Sequence, residues 1–196
     1  MSGNLPPLLR FALEQNARVA ELADALASGA STRKGVRVQV PSRAQQNLRS
    51  IPLDINAHRK IAIDAYNDCW DLLESTRSEQ QDRDLIGLAF LSRAHWALAG
   101  GNREFAIADW MVSRVCAAAS HGALAVSFAR ACLDVDDTDF PAWLKASLHE
   151  GMARACLADG QQDLFQQYLQ SARYLLSTET DLEVAAVIAA QIAELE

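Results

Sequence analysis

Glycine and proline are scarce, nine and five in 196 residues, which excludes a collagenous or Gly/Pro-rich low-complexity chain. Long apolar runs are missing too. No stretch approaches the roughly 20 residues that cross a bilayer, so a membrane span is not expected. The opening Met1–Phe11 has no basic segment followed by a long apolar one, so a signal peptide is not expected either. Lysine is rare, three against fifteen arginines. Cysteine is thinly spread: Cys69, Cys116, Cys132 and Cys156 stand singly among Ala, Val, Leu and Trp, with no C-x-x-C pair. A zinc or redox site needs clustered ligands, so these read as reduced, apolar core residues of a cytoplasmic protein. His58, His95, His121 and His149 are dispersed, and none belongs to H-x-x-x-H or H-E-x-x-H. P-loop, G-x-S-x-G and G-x-G-x-x-G patterns are absent as well, so neither metal, cofactor nor catalysis is expected from motifs.

What the chain does have is enough apolar material for a core, 50%, with 22% charged residues and a net charge of −7. The charge is unevenly placed. Residues 1–45 hold six bases (Arg10, Arg18, Arg33, Lys34, Arg37, Arg43) against three acids (Glu14, Glu21, Asp24), whereas residues 46–196 hold twelve bases against twenty-two acids. Two parts are therefore expected: an N-terminal extension, 1–50, and a helical domain, 51–196.

The extension has an unusual texture. Ala17 to Ala44 resembles a conceptual translation of a bacterial leucine tRNA gene. Val38-Gln39-Val40 read as GTT CAA GTC contains the T-loop-like TTCAAGTC, and Val19 to Asp24 resembles the D-arm. Ala17-Arg18-Val19 and Ser42-Arg43-Ala44 back-translate to complementary ends. Residues so dictated are not selected to pack, so a poorly packed segment is expected there. Leu8, Leu9, Ala12, Leu13, Val19, Ala20, Ala23 and Leu26 still recur at helical spacing, predicting a helix over about 6–27. The basic Arg33, Lys34 and Arg37 lack interleaved aromatics, so nucleic-acid binding is not expected. An alternative is a native start near residue 50.

From Asn56 onward, apolar residues recur at three and four without a strand-like window. Ile61, Ala65, Cys69, Leu72 and Leu73 mark a first helix, and Ser75 to Arg83 reads as a connection. Leu85, Leu88, Leu91, His95 and Leu98 line a second, ended by Gly100-Gly101. Phe105, Ala108, Met111, Val112, Val115 and Ala119 mark a third, closed near Ser120-His121-Gly122. Leu124, Phe128, Ala131 and Cys132 make a fourth. Asp139 is the expected N-cap of a fifth helix running from Phe140-Pro141 to Leu157, stopped at Asp159-Gly160. Leu164, Tyr168, Leu169 and Leu175 form a sixth. Thr178 is the expected cap of a seventh, with Glu179 in its first turn.

Repetition organises these helices. Arg114-x-Cys116-x-Ala118 and Arg154-x-Cys156-x-Ala158 lie forty positions apart, and at that offset Leu124 meets Leu164, Phe128 meets Tyr168 and Ala131 meets Ser171. Ser92-Arg93-Ala94-His95-Trp96-Ala97 is a third relative. Helical hairpins that bury their faces only against the next hairpin have this logic.

Here the text resembles the tetratricopeptide-like proteins, in its A-helix/B-helix order, its small A-helix residues and its aromatic-then-small pairs Phe128/Ala131 and Tyr168/Ser171. More narrowly, Asn67-Asp68-Cys69-Trp70-Asp71-Leu72-Leu73 with Ser92–Trp96 and Asp109–Val115 resembles a family of small, uncharacterised bacterial tetratricopeptide-like proteins, over about 56–195. The strict W-L-G-Y order is missing, and the repeat exceeds the usual 34 or so residues. The resemblance implies an all-α fold, a right-handed α-α superhelix of about seven helices; it implies no activity.

Candidate functional residues follow from faces rather than motifs. Trp110 and Arg114 sit one turn apart, with Arg103 and Ile107 on the same side, opposite Phe105, Val112 and Val115. Such a helix either lies inside a stack, with Arg stems packed on aromatic rings, or shows one face to a groove. The groove reading names Arg93, His95, Trp96, Trp110, Arg114 and Arg154 as binding residues for an extended peptide or an acidic terminus. It makes the protein an interaction module with a protein or peptide partner, with self-association into a homodimer left open. The alternative is a small-molecule enzyme or ligand-binding protein using His95 with a carboxylate such as Asp109.

Overall fold

A computed structural model describes residues 54–196, which comprise seven helices and no strand. The helices are α1 (Ile55–Leu73), α2 (Glu79–Ala99), α3 (Asn102–Ala118), α4 (Gly122–Leu133), α5 (Ala142–Ala158), α6 (Gln162–Leu176) and α7 (Leu182–Ala193). The expected helix over 6–27, the tRNA-like stretch 17–44 and the 1–50 extension lie outside the described residues. The chain divides into two units, Met1–Ala57 and His58–Glu196. Of the first only Asp54–Ala57 are described, where the Asp54 carboxylate accepts the Ala57 N–H at 2.7 Å. None of the described helices is long and apolar enough to cross a membrane.

Neighbouring helices in sequence pack as antiparallel-type hairpins joined by short turns, α3 on α4 and α5 on α6, with α4 bridging to α5 and α3 touching α5 directly. The two hairpin turns have one construction. Ser120 (φ 63°) and Gly160 (φ 74°), forty positions apart, both take the left-handed conformation. The next N–H, of His121 and of Gln161, donates back to the Cys116 and Cys156 carbonyls, each at 2.8 Å. This is the six-to-one bond of a Schellman cap, which satisfies carbonyls left over at the helix end.

The buried register repeats at the same offset. Leu85, Ala125 and Phe165 are buried at one level of α2, α4 and α6; Ala89, Ala129 and Leu169 at the next; Ser92, Cys132 and Ala172 at a third. On the other row, Ala108, Leu148 and Ile188, then Val112, Met152 and Ile192, are buried in α3, α5 and α7. Most of these join one continuous apolar core. Small residues bring helices close: the Ser92 hydroxyl donates to the Ala62 carbonyl at 2.8 Å and the Ser113 hydroxyl to the Ala125 carbonyl at 2.9 Å. All four cysteines are free and buried. Burial pushes the Cys69 thiol up to about 12 and the Cys116 thiol up to about 11, the state of inert core thiols.

Several expected boundaries and faces differ. Helix α2 begins at Glu79 rather than after Arg83, because Ser78 and Gln81 form a capping box in which the Gln81 side chain accepts the Ser78 N–H at 2.9 Å. Its core stripe is Leu85, Ala89, Ser92 and Trp96; Leu91 and Leu98 are exposed, because the stripe is displaced by one residue from the larger side chains. Helix α5 is capped from elsewhere. Asp139 does not cap it; instead the Glu179 carboxylate, thirty-six residues on, accepts the Trp143 N–H at 2.9 Å. Helix α7 is capped by Asp181, not Thr178, so Glu179 stands outside its first turn.

Candidate functional site

Four helices turn polar or aromatic side chains toward one place. From α1 come Tyr66 and Trp70, from α3 Trp110 and Arg114, from α5 Glu150 and Arg154, and from the end of α7 Glu194, with the Gln191 main-chain carbonyl beside it. The repeat produces this convergence, since positions 114, 154 and 194 lie forty apart and fall on three alternate helices, α3, α5 and the end of α7. In that order they read Arg, Arg, Glu.

Glu150 anchors the cluster. It is 0% exposed, and its Oε1 accepts from Arg154 Nε at 2.8 Å and Nη2 at 2.7 Å, while pairing with Arg114 Nη1 at 3.5 Å. A buried carboxylate with only one cation would be costly; two guanidiniums on one oxygen offset its desolvation. Glu194 closes the other side. It accepts from Arg114 Nη2 at 3.2 Å and Arg154 Nη2 at 2.9 Å, and its side chain is 53% exposed. Arg154 Nη2 also donates to the Gln191 carbonyl at 3.1 Å.

Arg114, 7% exposed, lies over two indoles, with its guanidinium carbon 4.9 Å from the Trp70 ring and 5.5 Å from the Trp110 ring. The rings themselves sit 6.0 Å apart. Burial pushes the Arg114 guanidinium down from its ordinary value, and Glu150 and Glu194 work against that shift. Burial likewise raises the Tyr66 phenol. Gly151 makes room for Trp110: a Cβ there would stand 2.5 Å from Trp110 Cδ1. The cluster keeps unused hydrogen-bonding capacity. Glu150 Oε2 and Trp110 Nε1 are buried without a partner.

Of the six residues named from sequence, the structure brings together Trp110, Arg114 and Arg154. Arg93 lies elsewhere: it pairs with the buried carboxylate of Asp109 and stacks over Phe105 at 4.7 Å and Phe128 at 5.4 Å. Trp96 is buried with Ala62 and Ala108 where α1, α2 and α3 meet. His95 faces His58, their Nδ1 atoms 3.0 Å apart, so one imidazole donates to the other. Burial, and then the neighbouring His58, lower its affinity for a proton. The expected His95–Asp109 pair is not formed, because Arg93 holds Asp109. Arg103 also stacks away from the cluster, its guanidinium 5.3 Å from the Trp143 ring.

Sequence reasoning did not name Glu150, Glu194, Gly151 or Trp70 as part of this site. The signal for both acids was present: Glu150 lies one turn before Arg154, and Glu194 follows Arg154 by one repeat. Among the described residues no group of three or more His, Cys, Asp or Glu is placed to hold a metal ion. No protein-family model, curated protein or solved structure matches the chain.

Proposed function

We propose that the protein is a non-catalytic interaction module, a tetratricopeptide-like right-handed stack of helical hairpins that binds an acidic peptide segment of a partner protein through Arg114, Arg154 and Trp110. The observation that carries this reading is the pair of guanidiniums at equivalent positions of successive hairpins, one of them laid on two indole faces, with a carboxylate already seated between them. Charge-assisted bonds to a carboxylate are the strong ones, and aromatic walls raise their worth by lowering local solvation. The forty-residue recurrence of turns and buried levels supports a solenoid, and solenoids present one row of helices as a binding face.

Less favours the alternative, a small-molecule enzyme or ligand-binding protein with a site near His95, since Asp109 pairs with Arg93. The test of the binding reading is a panel of synthetic hexapeptides with free acidic C-termini, set against the same peptides amidated and neutralised. Binding confined to the acidic set, and lost in Arg154→Gln and Trp110→Ala proteins that remain folded, is expected. Equal binding of acidic and neutral peptides, or binding unchanged in both variants, would reject this site.

A further inference from the structure

We infer that Glu194 is an internal ligand of the Arg114–Arg154 pair, and that a partner's carboxylate enters by replacing it as the last turn of α7 lifts away. This rests on the peptide-binding reading above and adds its regulation: the chain holds its own site closed.

The two carboxylates of the cluster are not equivalent. Glu150 is fully buried in the middle of α5 and fixes both arginines, whereas Glu194 is half-exposed at the C-cap of the terminal helix. A carboxylate at a helix C-terminus faces the negative end of the macrodipole, so Glu194 is held there by the arginines and against its own helix. Position supports the same conclusion. The residues at 114 and 154 are both arginine, and the third helix offers the complementary charge at 194, bridging to both guanidiniums at 3.2 and 2.9 Å.

Lifting Glu194 leaves two guanidiniums facing one carboxylate against apolar walls, a site with net positive charge and a demand for an anion. A peptide meets a further need that Glu194 leaves unmet. Glu150 Oε2, on the carboxylate that holds both arginines, is buried without a donor. A peptide unit adjoining an incoming carboxylate carries an N–H of the kind it lacks.

The device is mechanically simple. Helix α7 is twelve residues long, packs chiefly on α5 and α6, and buries Val184, Ile188 and Ile192. A short helix with only three buried side chains sits at the low end of a protein's range of opening free energies. Its final turn is tied down by Arg114 and Arg154 on Glu194, by Arg154 on the Gln191 carbonyl, and by the exposed Arg173–Glu196 pair.

The probe is the tripeptide N-acetyl-Glu-Leu-Glu, which copies residues 194–196, titrated into the full chain. Binding is read from the Trp110 indole N–H resonance, assigned by its loss in Trp110→Phe. Glu194→Gln removes the internal charge at a half-exposed position and is expected to bind the tripeptide about tenfold more tightly than the wild type, because no competitor must be displaced. Saturating tripeptide is expected to speed amide exchange in the last turn of α7 of the wild type. Adding Arg154→Gln to Glu194→Gln is expected to abolish binding; retained binding would place the tripeptide elsewhere and overturn the proposal. Equal affinity for wild type and Glu194→Gln would overturn the internal-ligand inference while leaving the binding reading intact. No shift in either folded protein would defeat both.

Discussion

At the scale of single residues, the cluster around Glu150 is the most exacting feature of the chain. Both arginines depend on its one bonded oxygen, and neither has another fully buried anion. Removing one member of a buried ion pair leaves the rest uncompensated, so Glu150→Ala is expected to cost about 3 kcal/mol. Urea unfolding followed by the tryptophans measures this, and a loss below about 0.5 kcal/mol, the scale of an ordinary surface change, would contradict the burial described. A second residue-scale effect concerns pH. Burial lowers the His149 affinity for a proton from its ordinary 6.5, with Asp137 opposing and the Tyr168 ring alongside. A depressed histidine contributes stability that is present above 6.5 and lost as pH falls through the lower folded value. Melting temperature is therefore expected to fall as pH drops below 6.5, and His149→Asn to flatten that slope; an identical slope in the variant would remove His149 from the account. Trp110, Arg114 and Arg154 were legible in the sequence because their spacing is regular, as was the packing of an arginine on aromatic rings. Glu150 and Glu194 were not named, because their contacts with Arg114, thirty-six and eighty positions away, are not revealed by the local Glu150–Arg154 spacing.

At the scale of the element, helix centres were readable and helix ends less so. The apolar period of α3 and α5 sets their cores, but both are buried nearly all round, and that follows from their place between neighbours. Stripes built on large residues misled in α2, where buried Ala89 and Ser92 meet other helices and Leu91 and Leu98 face water. The start of α5 was misread because its cap is long-range, whereas those of α2 and α7 were misread at local caps, Ser78 and Asp181. Glu179 serves α5 from the loop before α7, also accepting the Thr180 and Asp181 N–H groups at 2.8 and 2.9 Å. Those bonds hold its carboxyl below the usual 4.5, so its contribution is present above that value and lost as pH falls through the lowered one. Glu179→Ala is expected to cost about 1 kcal/mol at neutral pH, as lost N-caps do, and to remove this acid-sensitive component. Differential scanning calorimetry at pH 7 and pH 4 checks both. The paired turns give a prediction of opposite sign. Ser120 takes a left-handed conformation that its equivalent Gly160 takes freely, so Ser120→Gly is expected to stabilise by about 1 kcal/mol and Gly160→Ala to destabilise by a similar amount. Both shifts in the same direction would mean that the two turns are not built alike.

At the scale of the whole molecule, residues 58–196 form one compact unit in which α3 and α5 each contact several other helices and α7 fewer, so protection should fall from α3 and α5 toward α7. The all-helical class of the described residues was legible because no window after residue 55 alternates, and the pairing of α3 with α4 and α5 with α6 because the forty-residue echo is strong there. The contribution of α7 to the arginine cluster was hidden, since its apolar period alone describes an ordinary terminal helix. Native-state hydrogen exchange resolved helix by helix tests the central claim, a stacked core closed by a separable last helix. The account predicts that amides of α3 and α5 exchange only through global unfolding, that α7 opens at a lower free energy, and that Glu194→Gln speeds α7 alone. Exchange of α7 at the global rate, unmoved by Glu194→Gln, would contradict it.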